Sequence, residues 1–370
     1  MKALYIHIPF CVKKCSYCDF VSYPGCGEET VERYVKALCD EILFRRRALA
    51  EGVSTAYFGG GTPSLLAPRQ MERIFSGIKE ACPDFPGDIE ITVEVNPATA
   101  GRDKLRAFKD LGFNRISLGI QTFDDRLLSL LGRIHSSRQA LETYDACRAA
   151  GFDNVNIDLM FALPGQELKG WQVDLKKAVS LSPEHFSLYN LQVEEGTPLW
   201  ERRMSEKGSS SEKLIFPSEE EDAGMYVFAS AYMASRGYRR YEISNFALEG
   251  KECLHNTAYW ENKNYIGLGV AAHSHVCGRR RANTSSIEDY LASPGNAVIE
   301  ETGGTPLSVQ QETVFLGLRM EKGVEKKFFQ GYEAAVSTLA KEGLLEENGR
   351  RYRLTERGVL LANRVFEHFV

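Results

Sequence analysis

No apolar run in this chain approaches the ~18 residues that a membrane-spanning helix needs, so no spanning helix is expected. A charge bias is also lacking: 45 Lys plus Arg against 50 Asp plus Glu leave a net charge of −5. Nucleic-acid binders carry a basic face or stripe, and this balance speaks against one. Nine cysteines among 370 residues are too few for a secreted disulfide scaffold. No secretory leader is visible, because Met1-Lys2 leads straight into a strand-like segment. The expected setting is a reducing cytoplasm, with any membrane contact made through a partner. What the chain does have is length and a 43% hydrophobic content. Together these suffice for two domains, or for one large α/β barrel with an appendage.

Short β-rich runs alternate with helix-periodic segments. The pattern predicts strands at 3–8, 54–58, 89–95, 114–119, 154–160 and 184–190. Amphipathic helices are expected near 29–50, 67–81, 102–111, 136–150, 169–181 and 218–236. The acidic Glu219-Glu-Glu-Asp222 suits a helix N-terminus electrostatically. Such alternation implies parallel strands with right-handed crossovers. Six βα units make a partial, TIM-like (β/α)6 barrel, two units short of closure.

The first strand ends in Cys11-Val-Lys-Lys-Cys15-Ser-Tyr-Cys18. Thiolates in this Cys-x3-Cys-x2-Cys run can hold three irons of a [4Fe–4S] cube and leave the fourth open. A structural zinc site wants four ligands, usually from paired knuckles. The remaining cysteines, Cys26, Cys39, Cys82, Cys147, Cys253 and Cys277, are scattered and supply no second knuckle.

In barrels the chemistry sits at the C-terminal strand ends. Those ends carry glycine or polar signals one after another: Gly59-Gly-Gly61-Thr62-Pro63, Glu94-Val-Asn96-Pro97, Gly119-Ile-Gln121-Thr122, and Asp158 before Phe161-Ala-Leu-Pro164-Gly165. Any one of these is ordinary for a strand end. In register with the cysteine loop they read as one lined site. Glycine at 59–61 serves either as a plain turn or to let bare backbone approach a ligand.

The cysteine spacing resembles the radical S-adenosylmethionine (SAM) superfamily. Further motifs narrow the resemblance: Tyr5-Ile-His7-Ile-Pro9-Phe10-Cys11, Phe58-Gly-Gly-Gly-Thr-Pro63, Ser117-Leu-Gly-Ile-Gln121, Gly132-Arg133-Ile-His135, Asn156-Ile-Asp158, Leu163-Pro-Gly165 and Tyr241-Glu-Ile-Ser-Asn245-Phe. Over nearly its whole length the chain is similar to the oxygen-independent coproporphyrinogen III oxidase (HemN-like) family, which includes a branch of haem chaperones. The resemblance implies that Cys11, Cys15 and Cys18 hold the cluster and that SAM chelates its open iron. Reductive cleavage of SAM would then release a 5′-deoxyadenosyl radical. It places Tyr5 beside the cluster. Gly60, Gly61 and Thr62 would face the SAM amino end. Glu94, Gln121, Arg133 and Asp158 would meet its carboxylate, ribose and neighbouring groups, and Ala271 with Ala272 its adenine. Arg133 suits a carboxylate, which its fork can grip bidentately.

Two features depart from the oxidase. Only four residues precede Tyr5, where the oxidase carries an extension, and Phe20 stands where it has a fourth cysteine. Both are typical of the chaperone branch. So is His255-Asn-Thr-Ala-Tyr259-Trp260, a pattern associated there with haem. Two roles fit His255: an axial imidazole for haem iron, or a loop histidine whose aromatic neighbours fill a core.

From about 307 the pattern becomes helix, helix, hairpin, helix. Asn348-Gly349 marks the hairpin turn, and Thr355 caps a helix running to Phe369. This reads as a winged-helix-like α+β module. Its 10 Lys plus Arg against 9 Asp plus Glu over 307–370 favour docking or a lid over DNA. The stretch 205–217 reads as a polar loop.

The expected organisation is a radical SAM core (1–237), an extension returning to the SAM site with the histidine motif (238–300), and the C-terminal module (301–370). The expected function is a haem chaperone with a SAM-bound cluster, which hands haem to an acceptor such as a respiratory membrane enzyme and draws on an electron donor. No nucleic-acid partner is expected, and the chain is expected to be a monomer or weak dimer. The alternatives are coproporphyrinogen III oxidation, or other radical SAM chemistry on a tetrapyrrole or methyl-transfer substrate. Whether the chain is an enzyme stays open at this level.

Overall fold

A computed structural model describes residues 2–83, 85–205 and 214–370. Its centre is a twelve-stranded sheet. Six strands form the inner barrel in sequence order: β1 (Lys2–Ile8), β2 (Val53–Gly60), β3 (Glu90–Val95), β4 (Arg115–Gln121), β5 (Val155–Phe161) and β6 (His185–Asn190). Each pairs in parallel with the next. The crossover helices are α1 (Glu28–Phe44), α2 (Pro68–Ala81), α3 (Arg102–Leu111), α4 (Ser137–Ala149), α5 (Leu168–Ser180) and α6 (Glu219–Ser235). Buried strand residues such as Leu4, Ile6, Phe58, Val93, Ile116 and Ile157 meet apolar helix stripes such as Ile74–Ile78 and Leu105–Phe108 in one core. Alternate positions of the same strands, such as Arg115, Ser117, Asn156 and Ser187, are polar and buried on the inner face of the barrel.

Helix ends follow side-chain chemistry. Ser136 and Ser218 open α4 and α6 with capping boxes through Gln139 and Glu221. Gly112 closes α3 at φ 115°, a left-handed position that glycine adopts without a steric cost. The helix expected over 29–50 breaks in two: Arg45 leaves helical geometry at φ −85°, ψ 4°, and a separate turn, Arg46–Leu49, then buries Leu49.

Both sheet edges are extended by residues 238–303. Strand Asn245–Ala247 pairs antiparallel with β6, and Arg239–Glu242 flanks it. On the other side Tyr265–Leu268 pairs in parallel with β1 and makes a seventh parallel strand. Three antiparallel strands, His273–Val276, Arg279–Asn283 and Val298–Gly303, continue that edge. Glu41 on α1 fastens this edge from inside. Its carboxylate accepts from Gly269 N–H (2.7 Å), Asn283 Nδ2 (2.9 Å) and Tyr290 O–H (2.7 Å).

The C-terminal module has helices Pro306–Gly317 and Glu333–Lys341 and the expected hairpin, Leu345–Asn348 with Arg351–Leu354. Val324–Glu325 adds a third strand. The last helix is not continuous. Thr355 caps it on Gly358 N–H as expected, but Leu361 (φ −115°, ψ 29°) divides it into Glu356–Leu360 and Ala362–Phe366. The bend lets Phe369 reach the rings of Phe329 and Tyr332. Of the polar stretch 205–217, residues 206–213 lie outside the described residues. No helix among the described residues is long and apolar enough to cross a membrane.

Candidate radical SAM site

The strands' C-terminal ends open into a cavity of about 390 Å3. Beyond Ile8 the chain turns through Pro9 into Phe10–Cys11, which pairs with Tyr23–Pro24 and shapes the cysteine loop. The loop is tied down at its middle: Ser16 N–H donates to Leu131 O (3.0 Å), Ser16 Oγ to Leu130 O (3.1 Å), and Leu199 N–H to Ser16 O (2.8 Å). Cys11, Cys15 and Cys18 all line the cavity. Burial pushes the thiols of Cys11 and Cys18 up, against the hydrogen bonds they receive.

Two of the cysteines are joined by a polar chain. Cys11 Sγ lies 3.6 Å from Thr62 Oγ1, which accepts from Asn96 Nδ2 at 2.8 Å. Asn96 Oδ1 accepts from one terminal nitrogen of Arg133 at 2.6 Å, and the other donates to Cys15 Sγ at 3.5 Å. The first nitrogen also donates to Gly119 O (2.6 Å), while Nε is buried without a partner. Burial works against the Arg133 charge, yet the neighbouring Tyr17 and Cys15 raise its pKa overall. A fixed cation therefore stands beside Cys15, and its charge acts on the Cys11 thiol against the burial that raises it. Nothing in the sequence singles out Asn96, since an asparagine at a strand end carries no signal of its own.

The other expected residues converge as well. Glu94 accepts from Tyr57 O–H (2.8 Å) and Gly60 N–H (3.2 Å). Burial pushes its carboxyl up to about 7. Asp158 accepts from Asn156 Nδ2 at 2.6 Å, and burial raises its pKa too. Gln121 lines the cavity in left-handed backbone, φ 71°, an uncommon state for this residue type. Gly61 lines the cavity as well. A Cβ there would lie 2.7 Å from Phe10 O and 2.9 Å from Pro9 C, so its bareness serves the approach of the cysteine loop's own backbone.

Four expected residues do not line the cavity: Tyr5, Ala271, Ala272 and His255. Tyr5 packs on Tyr57 with ring centroids 6.3 Å apart and bonds His7 Nδ1 at 3.0 Å. Ala271, at φ 57°, donates its N–H to Thr284 O and turns the chain between two edge strands. His255 sits on a helix, Leu254–Trp260, rather than in a loop, and it is buried. Its Nδ1 bonds Thr55 Oγ1 (2.8 Å) and its Nε2 bonds Tyr259 Oη (2.9 Å), while Tyr57 stacks on the ring at 5.1 Å. Burial lowers its pKa to about 3. The imidazole is therefore neutral, with both nitrogens engaged and none open to an iron. Glu90 anchors the same helix by accepting from Leu254 N–H and His255 N–H, each at 3.0 Å. These partners, Thr55 and Glu90, lie near the starts of β2 and β3. The histidine motif thus closes the barrel at the end opposite the cysteines, and Asn256 forms part of the cavity lining.

A model of the radical SAM superfamily matches residues 5–178, and one of the HemN C-terminal domain matches 309–361. The heme chaperone HemW of Bacillus subtilis is 36% identical over 100% of this chain and 99% of its own length. The chain belongs to the HemW family of radical SAM proteins. The Escherichia coli HemW is 32% identical over 100% of the chain and 98% of its own length. The solved coproporphyrinogen III oxidase HemN of Escherichia coli, a radical SAM enzyme, superposes with a TM-score of 0.85. It is 25% identical and covers 99% of this chain and 89% of its own.

As a radical SAM protein this HemW relative uses a [4Fe–4S] cluster and SAM. The donor set fits. Among the described residues no three His, Cys, Asp or Glu side chains converge on one point to hold a single ion. Three cysteines set around one cavity instead suit a cube, where each thiolate takes a different iron. When bound, the pair supplies one-electron reductive cleavage of SAM. The chain holds Cys15 beside Arg133, and it presents Glu94, Gln121 and Asp158 from successive strand ends.

The raised Glu94 pKa sets a pH signature in the cofactor-free protein. With a folded value near 7 and an ordinary unfolded value near 4.3, the folded state holds the extra proton in between. That contribution is full at pH 4 and is lost as pH rises through 7. Glu94→Gln removes it, so the variant will gain stability relative to the parent as pH is raised from 5 to 8. Urea unfolding midpoints at several pH values measure this, and a pH-independent difference would contradict it.

Proposed function

We propose that this chain binds haem and passes it to a haem-accepting protein, keeping its cluster and SAM as part of that work. The observation that carries the reading is the full-length similarity to proteins named heme chaperone HemW. Supporting it is Phe20, 67% exposed at the cavity mouth, in the place of the oxidase's fourth cysteine. Chaperone function asks for exposed, reversible haem contact, and the mouth of the cavity is open. The acceptor we favour is a respiratory membrane enzyme, reached from the cytoplasm. A separate electron donor would reduce the cluster.

The test uses anaerobically reconstituted protein. One sample is titrated with haem; a second receives SAM, a reductant and coproporphyrinogen III. Stoichiometric haem uptake without formation of protoporphyrinogen IX is the expected result. Turnover of coproporphyrinogen without haem binding would overturn the reading in favour of the oxidase.

A further inference from the structure

The cavity changes chemical character along its depth. Inside stand polar and charged groups, Asn96, Arg115, Arg133, Glu94 and Asp158, beside Tyr57, Val95 and Met160. That lining suits a charged cofactor. At the mouth four large apolar side chains are left in water: Val12 is 54% exposed, Phe20 67%, Ile134 46% and Tyr189 41%. They come from three separate parts of the chain: the cysteine loop, the turn after Leu130, and the end of β6. Single exposed apolar residues are ordinary, but several gathered on the rim of one opening mark a binding surface. Lys13 and Lys14 sit on the same rim, exposed, and neither is in an ion pair among the described residues. Asp19 is exposed next to Phe20 but does not line the cavity.

An apolar ring of contacts beside two free ammonium groups matches a flat amphiphile with two carboxylates on one edge. We infer that the rim of the cluster cavity, Val12, Phe20, Ile134 and Tyr189 with Lys13 and Lys14, is where haem docks, held by its ring face and its propionates. This inference rests on the haem-chaperone reading and assigns that reading a place. It needs no protein ligand to the iron, in keeping with the buried, doubly bonded ring of His255. The ring would lie over the polar chamber, leaving the interior to the cluster and SAM. An apolar and electrostatic hold without an axial bond also suits a carrier that must let go.

The test uses cluster-loaded protein and three probes: haem, metal-free mesoporphyrin IX and mesoporphyrin dimethyl ester, followed by absorbance and tryptophan quenching. Mesoporphyrin should bind within about threefold of haem, since the hold is on ring and carboxylates. Lys13→Glu/Lys14→Glu should weaken both diacids about tenfold, the scale of two ion pairs at the edge of water, and leave the diester unchanged. Phe20→Ser should weaken all three probes about tenfold through lost apolar contact. Ile299→Ser, a 68% exposed change on a distant edge strand, should alter none. The rim variants replace exposed groups, so folding is not at stake, and iron content confirms that the cluster is retained.

Haem binding that is tight in the parent and unchanged in every rim variant would overturn the location while leaving the chaperone reading intact. Tight haem binding with no binding of the metal-free porphyrin would overturn it too, pointing to an iron ligand. A dimer that dissociates in Phe20→Ser while porphyrin affinity stays constant would make the rim a protein interface instead. If the parent binds no porphyrin at all, the chaperone reading fails first.

Discussion

Anaerobic reconstitution of the Cys15→Ala protein will leave it without a stable [4Fe–4S] cluster, with iron falling from about four per chain toward background. Cys11→Ala and Cys18→Ala will do the same. The reason is bonding rather than packing: each thiolate holds a different iron, and two of three cannot keep the cube in place. Cys15 has a second role in the free protein as acceptor for the Arg133 guanidinium, so its loss also leaves a buried cation short of a partner. The other cysteines give the contrast. Cys82 and Cys147 are buried in the core and Cys277 is exposed. Cys253 caps the helix Leu254–Trp260 and donates to Glu90. Cys253→Ala should therefore cost about 1 kcal/mol of stability, as cap losses do, and keep full iron content. Iron and sulfide analysis with the cluster's visible absorbance decides the matter. Normal cluster content in Cys15→Ala would refute the assignment.

The second large effect is on stability. His255→Ala will destabilise the fold by about 3 kcal/mol, because it opens a cavity and strips partners from two hydroxyls at once. In a neutral imidazole one nitrogen donates and the other accepts, so Thr55 and Tyr259 are matched to opposite sides of one ring. The Tyr57 stacking contact goes as well. His185 is built on the same plan, bridging Asn156 Oδ1 (2.6 Å) and Tyr241 Oη (2.9 Å), and His185→Ala should cost a similar amount. Denaturant unfolding of both variants gives the magnitude. Haem titration of the same samples gives the discriminating readout, since the Soret band of bound haem should keep its parental position. A shifted band with unchanged stability would make His255 an iron ligand after all.

The barrel strands were legible as short β-rich runs between helical segments; in β4 apolar Ile116, Leu118 and Ile120 alternate with Arg115, Ser117, Gly119 and Gln121, and all are buried. The cysteine loop was legible because its chemistry is encoded in spacing. Glu94, Gln121, Arg133 and Asp158 were legible as polar interruptions at strand ends, a regularity that packing alone does not require. Less visible was whatever depends on two distant segments meeting. Asn96 matters because Thr62 and Arg133 arrive on either side of it. Gly61 matters because Phe10 and Pro9 cross above it. The helix Leu254–Trp260 is too short to show a periodic stripe, so the motif it carries read as a loop. Tyr265–Leu268 gave no hint that its neighbour would be β1.

That last pairing bears on how the molecule comes into being. The strand that carries the cysteine loop has a flank that stays bare until Tyr265–Leu268 arrives, with Ala3 opposite Tyr265 and Ile6 opposite Leu268. Glu41 likewise waits for Gly269, Asn283 and Tyr290. On a ribosome these partners emerge well after the cysteine loop, and contacts of such sequence separation form slowly. The nascent N-terminal half therefore leaves the exit tunnel with its first strand unpaired on one side and its thiols in an unfinished pocket. Closure of the sheet edge beside the cysteine strand thus waits on the synthesis of residues as far along as Tyr290.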